Sequence, residues 1–96
     1  TRVISGQAST PKKAEPNAII DKKRPDGAVA TRTFYDEAGM KKLDIHTDSH
    51  SKHKEGQFGD HGEHAHDYEW DEDEKLKERT LRELTDNERE ENRDIL

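Results

Sequence analysis

Ninety-six residues bound the chain to one domain. Only 26% of them are hydrophobic and 42% are charged, against usual shares of about 45–50% and about 25%, which excludes a large buried core. No apolar run is long enough to cross a bilayer or to form the core of a signal peptide, and with no Cys there is no disulfide framework and no thiolate metal site. Net charge is -6, spread as +4 over 1–35, -1 over 36–59 and -9 over 60–96. An acidic chain is a poor non-specific nucleic-acid binder, because phosphate contacts need Lys and Arg. The chain begins at Thr1, which reads as a domain cut from something longer.

Residues 1–27 hold Pro11, Pro16 and Pro25. Proline removes a ladder donor and restricts the residue before it, so this stretch reads as an irregular basic lead ending in the turn Arg24-Pro25-Asp26-Gly27. The remaining 28–96 read as the folded domain. Residues 28–35 alternate as a strand, with Val29, Thr31, Thr33 and Tyr35 on one face. Asp36-Glu37-Ala38-Gly39 is a turn, and 40–47 is the return strand. There Leu43 and Ile45 share one face, and Lys42, Asp44 and His46 the other. A Gly- and His-rich loop fills 48–63. The next strand puts His64, His66, Tyr68 and Trp70 on one face.

Residues 71–84 have high helix propensity, yet two features favour a second hairpin, 64–71 with 75–83. Thr85-Asp86-Asn87-Glu88 fits a capping box, which needs a non-helical backbone at Thr85. The segments 33–42 and 68–77 also align as one aromatic-Asp-turn-Lys pattern, with Glu74 standing where the first copy has Gly39. A helix of about two turns follows over 86–94. The predicted architecture is α+β: a small antiparallel sheet of two β-hairpins with a short C-terminal helix, its Tyr68 and Trp70 packed on Phe34 or on Leu43 and Ile45.

All six histidines fall between His46 and His66, and three chemistries compete for them. Metal-free phosphodiester cleavage needs two proton-transfer groups of near-neutral pKa and a cation on the phosphate. His64 and His66 supply the first, with His46 as a third. Tyr68 orients the substrate, and Lys52, Lys54 or Arg82 binds the phosphate. Zinc binding instead uses His64 and His66 with His61, His46 or His50 completing the site, and Asp67 or Glu63 behind it. The third reading is plain surface or structural hydrogen bonding, which suits His50, His53 and His61 best.

The strings TRTFYDEAG, DIHTDSH, GEHAHDYEWDED and RELTDNEREENRDIL resemble the C-terminal domains of phage minor head (Mu F-like) proteins and related phage-encoded chains. The likeness runs from about Ile4 to Leu96 and is strongest over Gly62–Tyr68 and in the terminal ELTDNEREEN. Domains in that position are often polymorphic toxins, many of them small nucleases. The resemblance therefore implies a nuclease-type effector. It implies an immunity protein or phage head proteins as partners and a cytoplasmic or virion-associated setting; the histidine chemistry points to RNA as substrate. Of the site residues it covers His64, His66, Asp67 and Tyr68. The leading expectation is an RNase-like module needing no cofactor. The alternative is a non-catalytic domain of a phage structural protein, with a structural or Zn-binding His cluster.

Overall fold

The computed structural model describes residues 1–6, 9–48 and 62–96. These form β1 (Arg2–Ser5), β2 (Ile19–Lys23), β3 (Val29–Tyr35), β4 (Lys41–His46), β5 (His64–Trp70), β6 (Leu76–Arg82) and α1 (Asp86–Glu91). The strands lie in chain order in one mixed sheet, with β1 parallel to β2 and every other pair antiparallel. This corrects the expected α+β sheet of two hairpins: the domain is largely β, and its one helix is short. The two hairpins are the β3–β4 and β5–β6 portions of a wider sheet. The other two strands come from residues 1–27, expected to be irregular. The prolines of that stretch all lie outside β1 and β2. Pro25 sits in the turn between β2 and β3, where the Gly27 amide donates to the Arg24 carbonyl.

The connection from β1 to β2 has to cross the sheet, because parallel neighbours cannot be joined by a tight turn. Its residues from Thr10 onward run over one face. The Thr10 and Thr33 hydroxyls lie 2.8 Å apart, the Tyr35 phenol donates to the Pro11 carbonyl, and Lys41 Nζ donates to the Thr10 carbonyl. Further along, the Ala14 amide donates to the Gly39 carbonyl. Gly39 is at φ 83°, and a Cβ there would stand 2.4 Å from the Ala14 carbonyl oxygen. Glycine is therefore needed for the backbone conformation and for the close passage of the crossover.

The repeated turn is built the same way twice. Asp36 Oδ1 accepts from the amides of Ala38 and Met40, and Asp71 Oδ1 accepts from those of Asp73 and Lys75. Each copy has a β-bulge at its aromatic residue, between Phe34 and Tyr35 and between Glu69 and Trp70. A left-handed residue closing the turn beside a bulge is the three-residue hairpin solution. Glu74 adopts the φ of 61° that Gly39 adopts freely. Its carboxylate is gripped by Lys13 Nζ at 2.9 and 3.2 Å, from the crossover. That contact ties the turn to the crossover.

The sheet has two unlike faces. The apolar one carries Ile45 and Ala65, closed by Leu84, with Phe34, Leu43 and Ile95 packed around them. None of α1 is buried; Leu84 before it and Asn92 after it are, and Ile95 packs on the apolar cluster. Arg32 fixes that end by donating to Asp21, Asn92 and Asp94. Thr85 caps α1 as the sequence indicates, with Glu88 reciprocating. The opposite face, under the crossover, is the more polar one, although it also buries Ile20 and Tyr35. It holds Thr31, Thr33, Lys41, Asp44, His64 and His66, all buried. Tyr68 and Trp70 belong to this polar face, stacked at 6.1 Å. They do not pack on Phe34, Leu43 or Ile45, because the alternation that groups them with the histidines also turns them away from the apolar side.

Candidate metal centre and the cleft beside it

Strand register assembles the site. His46 on β4 pairs directly with His64 on β5, and Asp44 with His66. Paired residues point the same way, and i, i+2 residues share a face, so three imidazoles converge. The rings of His46 and His64 stack at 4.7 Å with an interplanar angle of 7°. His66 stands edge-on to both, at 5.1 Å from His46 and 5.0 Å from His64. One nitrogen from each ring lies within 4.8 Å of the others. Three histidines so placed can hold a metal ion.

The surroundings fix the rings. Gly62, at φ 75°, turns the chain into β5, and its carbonyl lies 3.0 Å from Nδ1 of His64. A carbonyl only accepts, so Nδ1 carries the proton and the lone pair of the neutral ring is on Nε2. Orienting a ring through its second nitrogen is how proteins prepare histidine for a metal. On His46, Nδ1 lies 3.3 Å from the Thr31 hydroxyl and Nε2 3.8 Å from Asp44 Oδ2. Asp44 is the hub behind them: it accepts from the Thr33 hydroxyl at 2.5 Å and from the Tyr68 phenol at 2.6 Å. Burial, then this hydrogen bond, pushes the Tyr68 phenol up to about 12.

A small cavity of about 90 Å³ adjoins the cluster at His46, lined also by Thr31, Asp44, Tyr68, Lys22, Lys41 and Arg79, with Ser9 and Thr10. Lys41 Nζ sits 5.2 Å over the Tyr68 ring, and Arg79 lies over the same ring at 5.8 Å. Burial pulls the Lys41 ammonium below its usual value; Asp44 acts against that, and Arg79 and Lys22 act with it. An adjoining cleft of about 480 Å³ shares Ser9, Lys22, Thr31, His46 and Arg79 with this cavity and adds Lys23, Arg24 and Asp48, the last two ion-paired.

The structure thus brings His46, His64, His66 and Tyr68 to one face. Arg82 is on the other face, where it bridges Asp67 and Glu88; these carboxylates, Glu88 foremost, raise its pKa. Asp67 is on that side too, paired with Leu43. Glu63 accepts from Arg89 at 2.7 Å. Lys52, Lys54, His50, His53 and His61 lie outside the described residues.

Sequence reading did not single out Lys22, Lys41, Arg79 or Asp44 as site residues. Asp44 was findable, since it shares a strand face with His46. Lys41 was not, because the bulge after Phe34 skips Lys42 and seats Lys41 opposite Tyr35. No helix among the described residues is long and apolar enough to cross a membrane. What the fold and cluster define is a largely β domain with a three-histidine centre, buried at His64 and His66 and partly buried at His46. No protein-family model matches this chain, and no curated protein or solved structure matches it either.

Proposed function

We propose that the domain binds one zinc-class divalent cation through His46, His64 and His66. The observation that carries this is the mutual approach of the three ligand nitrogens, within 4.8 Å. Zn–N bonds of about 2.05 Å in a tetrahedral site put nitrogens about 3.3 Å apart. Closing onto an ion then needs nitrogen shifts of at most about 1.5 Å, together with rotation of His46 or His64 out of their parallel stack, because an imidazole lone pair lies in the ring plane. Neutral imidazole favours zinc, copper or nickel over magnesium or calcium, which take oxygen ligands. Three protein nitrogens leave one tetrahedral position, where zinc lowers the pKa of bound water to about 7.

Metal-free cleavage by a histidine pair is less well supported by this geometry. It needs a phosphate seated between the acid and the base, and the three rings here touch one another at 4.7–5.1 Å. The phage setting rests on the sequence resemblance alone, and a nucleic-acid substrate on that resemblance and the histidine pair.

Thermal unfolding tests the proposal. Zinc at a hundredfold excess over its dissociation constant is expected to raise Tm by on the order of 10 °C for a domain of this size. A chelator should reverse the rise, and magnesium should not reproduce it. A Tm indifferent to zinc would remove the metal reading.

A further inference from the structure

The small cavity next to His46 has an unusual charge for this chain. Net charge is -6, yet the cavity is lined by Lys22, Lys41 and Arg79. Among its described lining residues Asp44 is the one carboxylate, and that group already accepts from Thr33 and Tyr68. Three cations against one anion in a confined, partly buried space repel one another.

We infer that this cavity is an anion site that receives a phosphate group and seats it beside His46. Three features support it. Lys41 is buried, with 7% exposure, and is held in place by the Thr10 carbonyl at 2.9 Å and by the Tyr68 ring. An ammonium so fixed is a preorganised counter-charge. Arg79 is anchored by its Nε, which donates to the Tyr68 hydroxyl at 3.3 Å; a guanidinium has further donors in a planar fork that matches a phosphate. Lys22 pairs in register with Thr31 and Thr31 with His46, which puts one cation on the same sheet row as the metal cluster. The adjoining cleft continues the positive lining through Lys23; its one described carboxylate, Asp48, is ion-paired with Arg24, so the approach is net positive for an anion.

The anion site stands on residues separate from the metal ligands apart from His46, so it is tested in metal-free protein, where failure of the zinc reading leaves it untouched. Inorganic phosphate and a nucleoside monophosphate are titrated separately, with binding followed by calorimetry and by amide chemical shifts of Thr31, Lys41 and Arg79. The second ligand shows whether the group is taken free or on a nucleotide. Saturable binding of either is expected, weakened at least tenfold in Lys22→Gln/Arg79→Gln. A charge-matched control, Lys75→Gln/Lys77→Gln in the β5–β6 turn and β6, should bind as the parent does. Lys41 is kept because its removal risks the fold. No saturable binding of either ligand up to about 10 mM, or equal binding by the parent and Lys22→Gln/Arg79→Gln, would overturn the assignment.

Discussion

Replacing His64 and His66 together by alanine is expected to abolish stoichiometric zinc binding. The two side chains leave β5 on one face, and His46 meets them only because its strand pairs in that register. Removing both leaves one imidazole of the set, which cannot chelate. Loss of a mere outer partner of a zinc ligand costs about 10–100-fold in affinity, so loss of two ligands must exceed about a hundredfold. The zinc-dependent gain in stability should vanish with it. That gain is about 4 kcal/mol when zinc is a thousandfold above its dissociation constant. Native mass spectrometry and unfolding with and without zinc give the answer, and a variant that keeps one equivalent of zinc would place the ligands elsewhere.

The second large effect belongs to Asp44. It is 5% exposed and receives the hydroxyls of Thr33 and Tyr68. Asp44→Ala strips a buried donor pair of its acceptor and leaves Lys41 without its nearby counter-charge. Hydrogen bonds to a charged group contribute about 1.5–3 kcal/mol each, and broken buried pairs cost about 3–5 kcal/mol. A loss of about 3–5 kcal/mol is expected in urea unfolding, a large share of the stability of any small domain. Asp44→Asn, which keeps one acceptor, should lose less.

The same substitution moves Tyr68. Its phenol is raised to about 12, first by burial and then by Asp44. Without Asp44 the value should fall yet stay above the ordinary 10.0, because burial persists. The sign for stability follows. A phenol raised in the folded state favours folding fully below about pH 10, and that contribution is lost as pH climbs toward about 12.

Much of the local structure was legible in the sequence. Alternation located β3, β4 and β5, and the Thr85–Glu88 capping box located the start of α1. The β5–β6 hairpin emerged from the repeat of the Asp36 turn at Asp71, although Glu74 stands where a glycine is preferred. What failed was non-local. β1 pairs parallel with β2 across a crossover, and short strands such as Arg2–Ser5 and Ile19–Lys23 carry too few residues to declare a period. With the crossover unseen, the polar face had no lid, so Tyr68 and Trp70 were expected in the apolar core. Asp67 already lay opposite the histidines by alternation. Arg82 follows it because Arg82 pairs with Ala65, a register the sequence does not print. The grouping of His46 with His64 and His66 was legible as faces and becomes a cluster only through the β4–β5 register.

Histidine-selective NMR of the uniformly labelled domain, before and after one equivalent of zinc, tests the metal centre most directly. The imidazoles of His46, His64 and His66 should shift together at one equivalent, with His64 ligating through Nε2 and keeping its Nδ1 proton on the Gly62 carbonyl. Zinc that leaves these three resonances in place while moving other imidazoles would contradict the account.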